Sequence, residues 1–265
     1  MGEIIFDKLN VKIDDREIIR SLTFEVDTDK SLAIVGESGS GKTFISRLLV
    51  GQRPQTAKIE GCITVDGKEI LEVAQREWEA LRGNYVAYIA QNPMGLFNEM
   101  QTIGSHAVEL FKSKLGLEKE EALERFKNAL ENFNLKNGDL LSKKYPFQLS
   151  GGMLQRVMIA MMMELSPKIL IADEPTSALD TYNTQKVIEV LRACKDRGTR
   201  LIVVTHDYSL VKALADEIII MKQGELIESG EAAKILENPK TDYGKELMQD
   251  RVYVRRKKLD KRCFR

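Results

Sequence analysis

The chain has 265 residues, 43% hydrophobic and 30% charged, with 40 basic and 40 acidic side chains. This is ample for a globular core in one large or two small domains, and the lack of any apolar run of about 18 residues excludes a membrane span. Cys62, Cys194 and Cys263 form no C-x-x-C pair, which suggests a reducing compartment and neither a disulfide frame nor a zinc or iron–sulfur site.

From the N-terminus, Met1-Gly2-Glu3 carries no basic-then-apolar leader, and Phe6 stands where N-myristoylation needs Ser or Thr. Residues 4–13 and 17–26 read as two strands turning at Asp14-Asp15-Arg16, an antiparallel pair. Residues 31–35 are a short apolar run, as a buried strand should be. It leads into Gly36-Glu37-Ser38-Gly39-Ser40-Gly41-Lys42-Thr43, which reads G-x-x-x-x-G-K-T, the P-loop pattern. The glycines let backbone N–H groups point at phosphate oxygens. Lys42 reaches the β- and γ-phosphates, and the Thr43 hydroxyl is a ligand for Mg²⁺. An apolar-rich helix at 44–50 then presents its positive end to the anion. The chain is therefore expected to bind a nucleoside triphosphate.

Residues 61–67 alternate and end on Asp66-Gly67, a hairpin signal. A short strand at 85–89 stops at Gln91-Asn92-Pro93. The Gln91 amide can reach Mg²⁺ or the attacking water, and the loop it begins leads into a helical region, so it suits a transmitter. From about 98 helical patterns dominate, at 105–115 and 118–133, the second with Ala122, Leu123, Phe126 and Leu130 at helical spacing. His106 lies here with no partner in sight and reads as structural. Leu149-Ser150-Gly151-Gly152-Met153 opens a further helix at 150–165. Ser150 caps it, and Gly151 and Gly152 expose N–H groups at its positive end, a second anion site; the plain alternative is an ordinary capped helix. Met158, Met161, Met162 and Met163 in this helix read as core packing.

The 169–172 strand then delivers Asp173 and Glu174 to the carboxyl end of an α/β sheet, where ligands bind. Asp173 suits Mg²⁺, and Glu174 suits a base or an orienter for water. A helix at 181–197 and a strand at 201–204 follow, with His206 placed to contact a γ-phosphate. Helix at 211–215, strands at 218–221 and 225–228, and helical pieces at 231–236 and 243–249 complete the pattern. Strand–helix alternation of this kind implies a mostly parallel sheet covered on both faces. Residues 251–265 hold eight basic side chains against Asp260, a tail that is either solvated or able to lie on anionic lipid or nucleic acid.

The ordered set resembles the ATP-binding subunit of an ABC transporter: P-loop 36–43, Q-loop Gln91, signature 149–153, Asp173-Glu174, the D-loop Ser177-Ala178-Leu179-Asp180, and a switch histidine at His206. It covers about residues 3–250. Finer marks resemble the peptide and nickel importer branch: Leu81-Arg82-Gly83, Asn92-Pro93-Met94, Met100-Gln101-Thr102-Ile103-Gly104, Met153, and Asn238-Pro239 with Tyr243 and Leu247. The resemblance implies one α/β P-loop NTPase domain of the ABC ATPase type. Its core would be 1–97 and 146–250, with an N-terminal antiparallel β part, a helical insertion at about 98–165 and a basic tail.

It also implies ATP and Mg²⁺, with Thr43, Gln91 and Asp173 on the metal and Glu174, His206 and Gln91 in hydrolysis. ATP would lie between one chain's P-loop and Ser150, Gly151, Gly152 and Asp180 of a second ATP-binding subunit, identical or different. Two membrane permeases and, indirectly, an extracytoplasmic solute-binding protein would complete an importer at the cytoplasmic face of the cell membrane. Two departures stand out. Ile13 occupies the position where the family usually stacks an aromatic on adenine, which weakens base selectivity. The chain also ends at Arg265, short of the Cys-containing extension of peptide importers, which favours nickel or a metal chelate over small peptides as cargo. The alternative is a soluble ABC ATPase acting on nucleic acid or translation, motivated by the tail, although no nucleic-acid partner is expected.

Overall fold

The computed structural model describes residues 3–27 and 29–247; the basic tail and Cys263 lie outside the described residues. Contacts divide the described residues into two compact units, one within 3–45, 53–71 and 205–247, the other of 46–52 and 72–204.

In the first unit, β1 (Glu3–Ile13) and β2 (Arg16–Asp27) form the expected antiparallel pair, turning at Asp14-Asp15. Buried residues alternate along both, and Phe6 stacks on Phe24 with ring centroids 4.4 Å apart. β4 (Ala57–Val65) pairs with β1 on its other side and turns through Asp66-Gly67 into β5 (Lys68–Glu69). β4 starts four residues earlier than expected. Gly61, at φ 86°, lies opposite a register shift between Asp7 and Asn10, and a Cβ there would come within 2.5 Å of the Asp7 and Lys8 carbonyl oxygens. Glycine is what lets the strand run through that point.

The same unit holds β3 (Leu32–Gly36), buried throughout and parallel to β9 (Glu217–Lys222), with β10 (Glu225–Glu231) antiparallel on the far side of β9. α8 (Tyr208–Leu214), α9 (Ala232–Glu237) and a helical stretch at 242–247 cover it, joining Val35, Val211, Ile220, Ile235 and Tyr243 in one core.

In the second unit, β6 (Val86–Ile89), β7 (Ile169–Asp173) and β8 (Arg200–Val204) are parallel, with β7 in the centre. β7 is buried at every residue, which is why it reads as an unbroken apolar run. α3 (Ile103–Leu115), α4 (Lys119–Glu131), α6 (Gly151–Glu164) and α7 (Thr181–Asp196) match the expected helices to within a few residues. Met158, Met161 and Met163 are buried, as core packing requires.

α1 (Lys42–Leu48) begins two residues before the expected 44, because Phe44 and Ile45 both donate to the Gly41 carbonyl and close the helix on the loop itself. α2 (Gln75–Leu81) and the short α5 (Gly138–Ser142) carry no amphipathic repeat in sequence. α2 buries only Trp78, against which a Cβ on Gly51 would come within 2.3 Å. His106 is structural, but it does have partners: its Nε2 lies 3.1 Å from the Asn98 carbonyl, and its ring meets Phe97 edge-on at 5.1 Å.

Candidate functional site

The P-loop lies in the first unit. β3 ends at Gly36, whose φ of 149° and lack of a side chain let the chain pass Met221; a Cβ there would sit 2.1 Å from the Met221 carbonyl oxygen. Gly41, at φ 98°, is closed in from the other side, with Ile19 Cδ1 2.5 Å from a built Cβ. Ser40 is buried, and its carbonyl accepts from Gly224 N. The Lys42 ammonium curls over the loop and donates to Gly36 O at 2.9 Å, Glu37 O at 2.6 Å and Ser40 Oγ at 3.3 Å. The loop's own oxygens thus hold the Lys42 cation over the P-loop. Thr43 is half-buried in the first turn of α1, beside Lys42.

One contact to this loop is absent from the sequence reading. The Glu37 N–H donates to Tyr243 Oη at 3.3 Å, and the Lys222 ammonium lies 4.1 Å from the Tyr243 ring centroid. In the sequence Tyr243 carries only the resemblance to the peptide and nickel importer branch. Ile13, at the end of β1, is half-buried and paired with Arg16 and Ala57. His206 follows buried Thr205 and is exposed; Asp207 after it caps α8 by accepting from Ser209 N at 2.9 Å.

The second unit gathers Gln91, Asp173 and Glu174 at one end of its sheet. β6 and β7 run parallel with Ile89 opposite Ala172, so Gln91 and the two acids leave neighbouring strands at the same carboxyl end. Asp173 is fully buried and accepts from the Tyr88 hydroxyl at 3.0 Å through Oδ2. The carboxylate oxygens of Asp173 suit a hard, oxygen-preferring cation such as Mg²⁺. The site chemistry therefore fits the metal.

Glu174 turns sharply after the strand. Its φ is 48°, in the left-handed region that a non-glycine residue enters at a cost. Its N–H donates to Val204 O at 2.7 Å, which anchors the turn while the side chain stays buried. Gln91 is exposed, one residue before Asn92, whose side chain accepts from Met94 N and caps the 3₁₀ turn Pro93–Leu96.

The same unit joins the glycine-led helix to Asp180. Ser150 caps α6 by accepting from Met153 N at 3.3 Å. Gly152 faces the loop before α7, where a Cβ would meet Ala178 O at 3.0 Å. Arg156, one turn on, donates to Phe133 O at 2.9 Å and to Asn183 Oδ1 at 2.8 Å. Asn183 in turn donates from its backbone N and its Nδ2 to the two Asp180 carboxylate oxygens. The Asn183 N–H, then its side-chain amide and the nearby Arg156 charge, hold the Asp180 carboxyl below its ordinary value. This chain fixes the start of α6 against the start of α7.

Tyr88, Arg156 in this bridging role and Asn183 escaped the sequence reading. The available signal for Tyr88 was a single hydroxyl in the otherwise apolar strand Val86-Ala87-Tyr88-Ile89.

Comparison with known proteins gives the family. The family model described as ABC transporter matches residues 19–177. The metal-staphylopine import system ATP-binding protein of Staphylococcus aureus is 32% identical over 241 residues, covering 91% of this chain and 89% of that one. The oligopeptide transport ATP-binding protein of Salmonella typhimurium is 35% identical over 230 residues, 86% of this chain and 69% of that one. A dimeric ATP-binding cassette solved in a post-hydrolysis state with ADP and phosphate superposes with a TM-score of 0.76 at 23% identity, over 86% of this chain and 98% of that one, which shows a shared fold.

Proposed function

The chain belongs to the ABC transporter family and is an ATP-hydrolysing, ATP-binding subunit of an import system, and we propose that it powers uptake of a metal chelate, with small peptides as the other cargo class. The names of the relatives support both classes: one is the ATP-binding protein of a metal-staphylopine import system and the other an oligopeptide transport ATP-binding protein. In this reading the chain is one ATP-binding domain with a helical insertion at about 98–165. It sits as a peripheral subunit on the cytoplasmic face of the cell membrane, against two permeases fed by a solute-binding protein. Among the described residues, no helix is long and apolar enough to cross a membrane.

The observation that carries the hydrolytic mechanism is the end of β7: a fully buried Asp173 followed by a buried Glu174 on strained backbone. The P-loop N–H groups and Lys42 hold the β- and γ-phosphates, and Ile13 gives the adenine an apolar contact. Thr43, Gln91 and Asp173 are the residues that would hold Mg²⁺, which when bound offsets phosphate charge. Glu174 takes a proton from the water that attacks the γ-phosphorus, ADP leaves, and His206 contacts the γ-phosphate. Ser150, Gly151, Gly152 and Asp180 of a second ATP-binding subunit complete each site, so ATP binding closes the pair and hydrolysis reopens it.

The test is Glu174→Gln, which keeps shape and burial but removes the base. Turnover should fall by about 10²- to 10⁴-fold, while ATP stays bound and holds the protein in a dimer visible by size-exclusion chromatography. Unchanged turnover would overturn the assignment of the base.

A further inference from the structure

Tyr88 pairs across the sheet with Ile171, and Asp173 lies two residues further along β7 on the same face. This diagonal neighbour is within reach of an aromatic side chain. The phenol spans it and donates to Asp173 Oδ2 at 3.0 Å. On α1, the Ser46 hydroxyl and the Arg47 side chain lie close enough to act on the same phenol. Ser46 is fully buried and lies one helical turn after Lys42 and Thr43. A phenol keeps its proton at neutral pH, so the Tyr88 hydroxyl is a donor to the carboxylate. One hydroxyl thus joins the strand that ends in Asp173 to the helix that follows the P-loop.

A residue needed only for packing would not require that hydroxyl. Val86 and Ile89 of the same strand are buried and apolar, and the Tyr88 ring could pack as phenylalanine. We propose that Tyr88 is a positioning residue for the metal: its hydroxyl pins Asp173 Oδ2 and so fixes the rotation of the carboxylate that would hold Mg²⁺, by reference to α1. The proposal rests on the reading that Asp173 holds Mg²⁺.

The experiment titrates Mn²⁺, as a paramagnetic substitute for Mg²⁺, into full-length protein loaded with a non-hydrolysable ATP analogue, and reads bound metal by electron paramagnetic resonance. Tyr88→Phe should weaken Mn²⁺ binding about tenfold, as expected for losing a hydrogen bond to a charged group, while analogue affinity in EDTA is unchanged. In turnover, the Mg²⁺ concentration for half-maximal rate should rise by a similar factor and kcat at saturating Mg²⁺ should stay within about twofold. Asp173→Asn separates the two readings. If Asp173→Asn weakens Mn²⁺ binding and Tyr88→Phe does not, the positioning role is overturned and the metal assignment stands. If Asp173→Asn leaves Mn²⁺ binding intact, the metal assignment fails and takes this proposal with it. Should Tyr88→Phe unfold or lose nucleotide in EDTA, Ser46→Ala decides. Combined with Arg47→Met, it removes both α1 groups from the phenol and should weaken Mn²⁺ about threefold; no change overturns the proposal.

Discussion

Around Gly36–Gly41 the shape is set by main chain: left-handed glycines, a carbonyl crowding Gly36, and loop oxygens that hold Lys42. At the end of β7 and at the start of α6 it is set by side chains from distant parts of the sequence: Tyr88 on Asp173, and Arg156 through Asn183 to Asp180. A site built from backbone fails when an atom is added. A site built from side chains fails when an atom is removed, and it does so in graded steps. The two regions should therefore answer to opposite kinds of substitution.

The largest effect on stability is expected at Gly36. Alanine there puts a Cβ 2.1 Å from the Met221 carbonyl oxygen, which belongs to the strand beside it and cannot rotate away. Together with the unfavourable φ, Gly36→Ala should cost about 3 kcal/mol and abolish ATP binding, measured by urea unfolding and nucleotide titration. Gly39→Ala is the internal control. Its φ is also positive, at 81°, but a Cβ there meets nothing within 4 Å, so only the backbone cost of about 1 kcal/mol applies. Equal costs at the two positions would mean that crowding by backbone is not what shapes the loop.

The second effect is smaller and of the opposite kind. Arg156→Met keeps the apolar stem and removes the guanidinium, leaving Phe133 O without that donor and Asn183 Oδ1 unbridged. The group is half-buried, so a loss of about 1.5 kcal/mol is expected in urea. Adding Asn183→Ala should then cost less than it does alone, because the two act as one chain. Strict additivity would show that α6 and α7 are held independently.

The contrast also explains what could be read from the sequence. The P-loop is legible because eight contiguous residues carry its pattern, and the order of Gln91, Ser150-Gly151-Gly152, Asp173-Glu174 and His206 added the family. β7 and β3 were legible because full burial makes them unbroken apolar runs. α2 was not, since a helix that buries only Trp78 leaves no periodic stripe. The bridges were not either: a hydroxyl at 88 and a carboxylate at 173 have no pattern in common until β6 and β7 pair in register. β4 reaches back to Ala57, beyond the alternating run at 61–67, because Gly61 carries the strand across a bulge.

The P-loop unit contains one side-chain clamp of its own, and it gives the last and smallest test. Glu228 is buried in β10 and accepts from Lys240 N at 2.8 Å, Thr241 N at 3.0 Å and Thr241 Oγ1 at 2.7 Å. It fixes the turn that brings Tyr243 to Glu37 N. Burial alone would raise the Glu228 carboxyl; the donors from Lys240 and Thr241 outweigh it, and the carboxyl lies below its ordinary value. With the folded value depressed, the unfolded chain takes up the proton first as pH falls. The clamp's contribution is therefore fully present above the ordinary carboxylate range, near pH 4.3, and is lost as pH drops through the lower folded value. Glu228→Gln should cost about 1 kcal/mol at pH 7, and the difference from the natural chain should shrink in urea melts below about pH 4. A gap that stays constant across that range would mean the turn is held by shape and not by the carboxylate's charge, and the clamp would then belong with the backbone-built loop it supports.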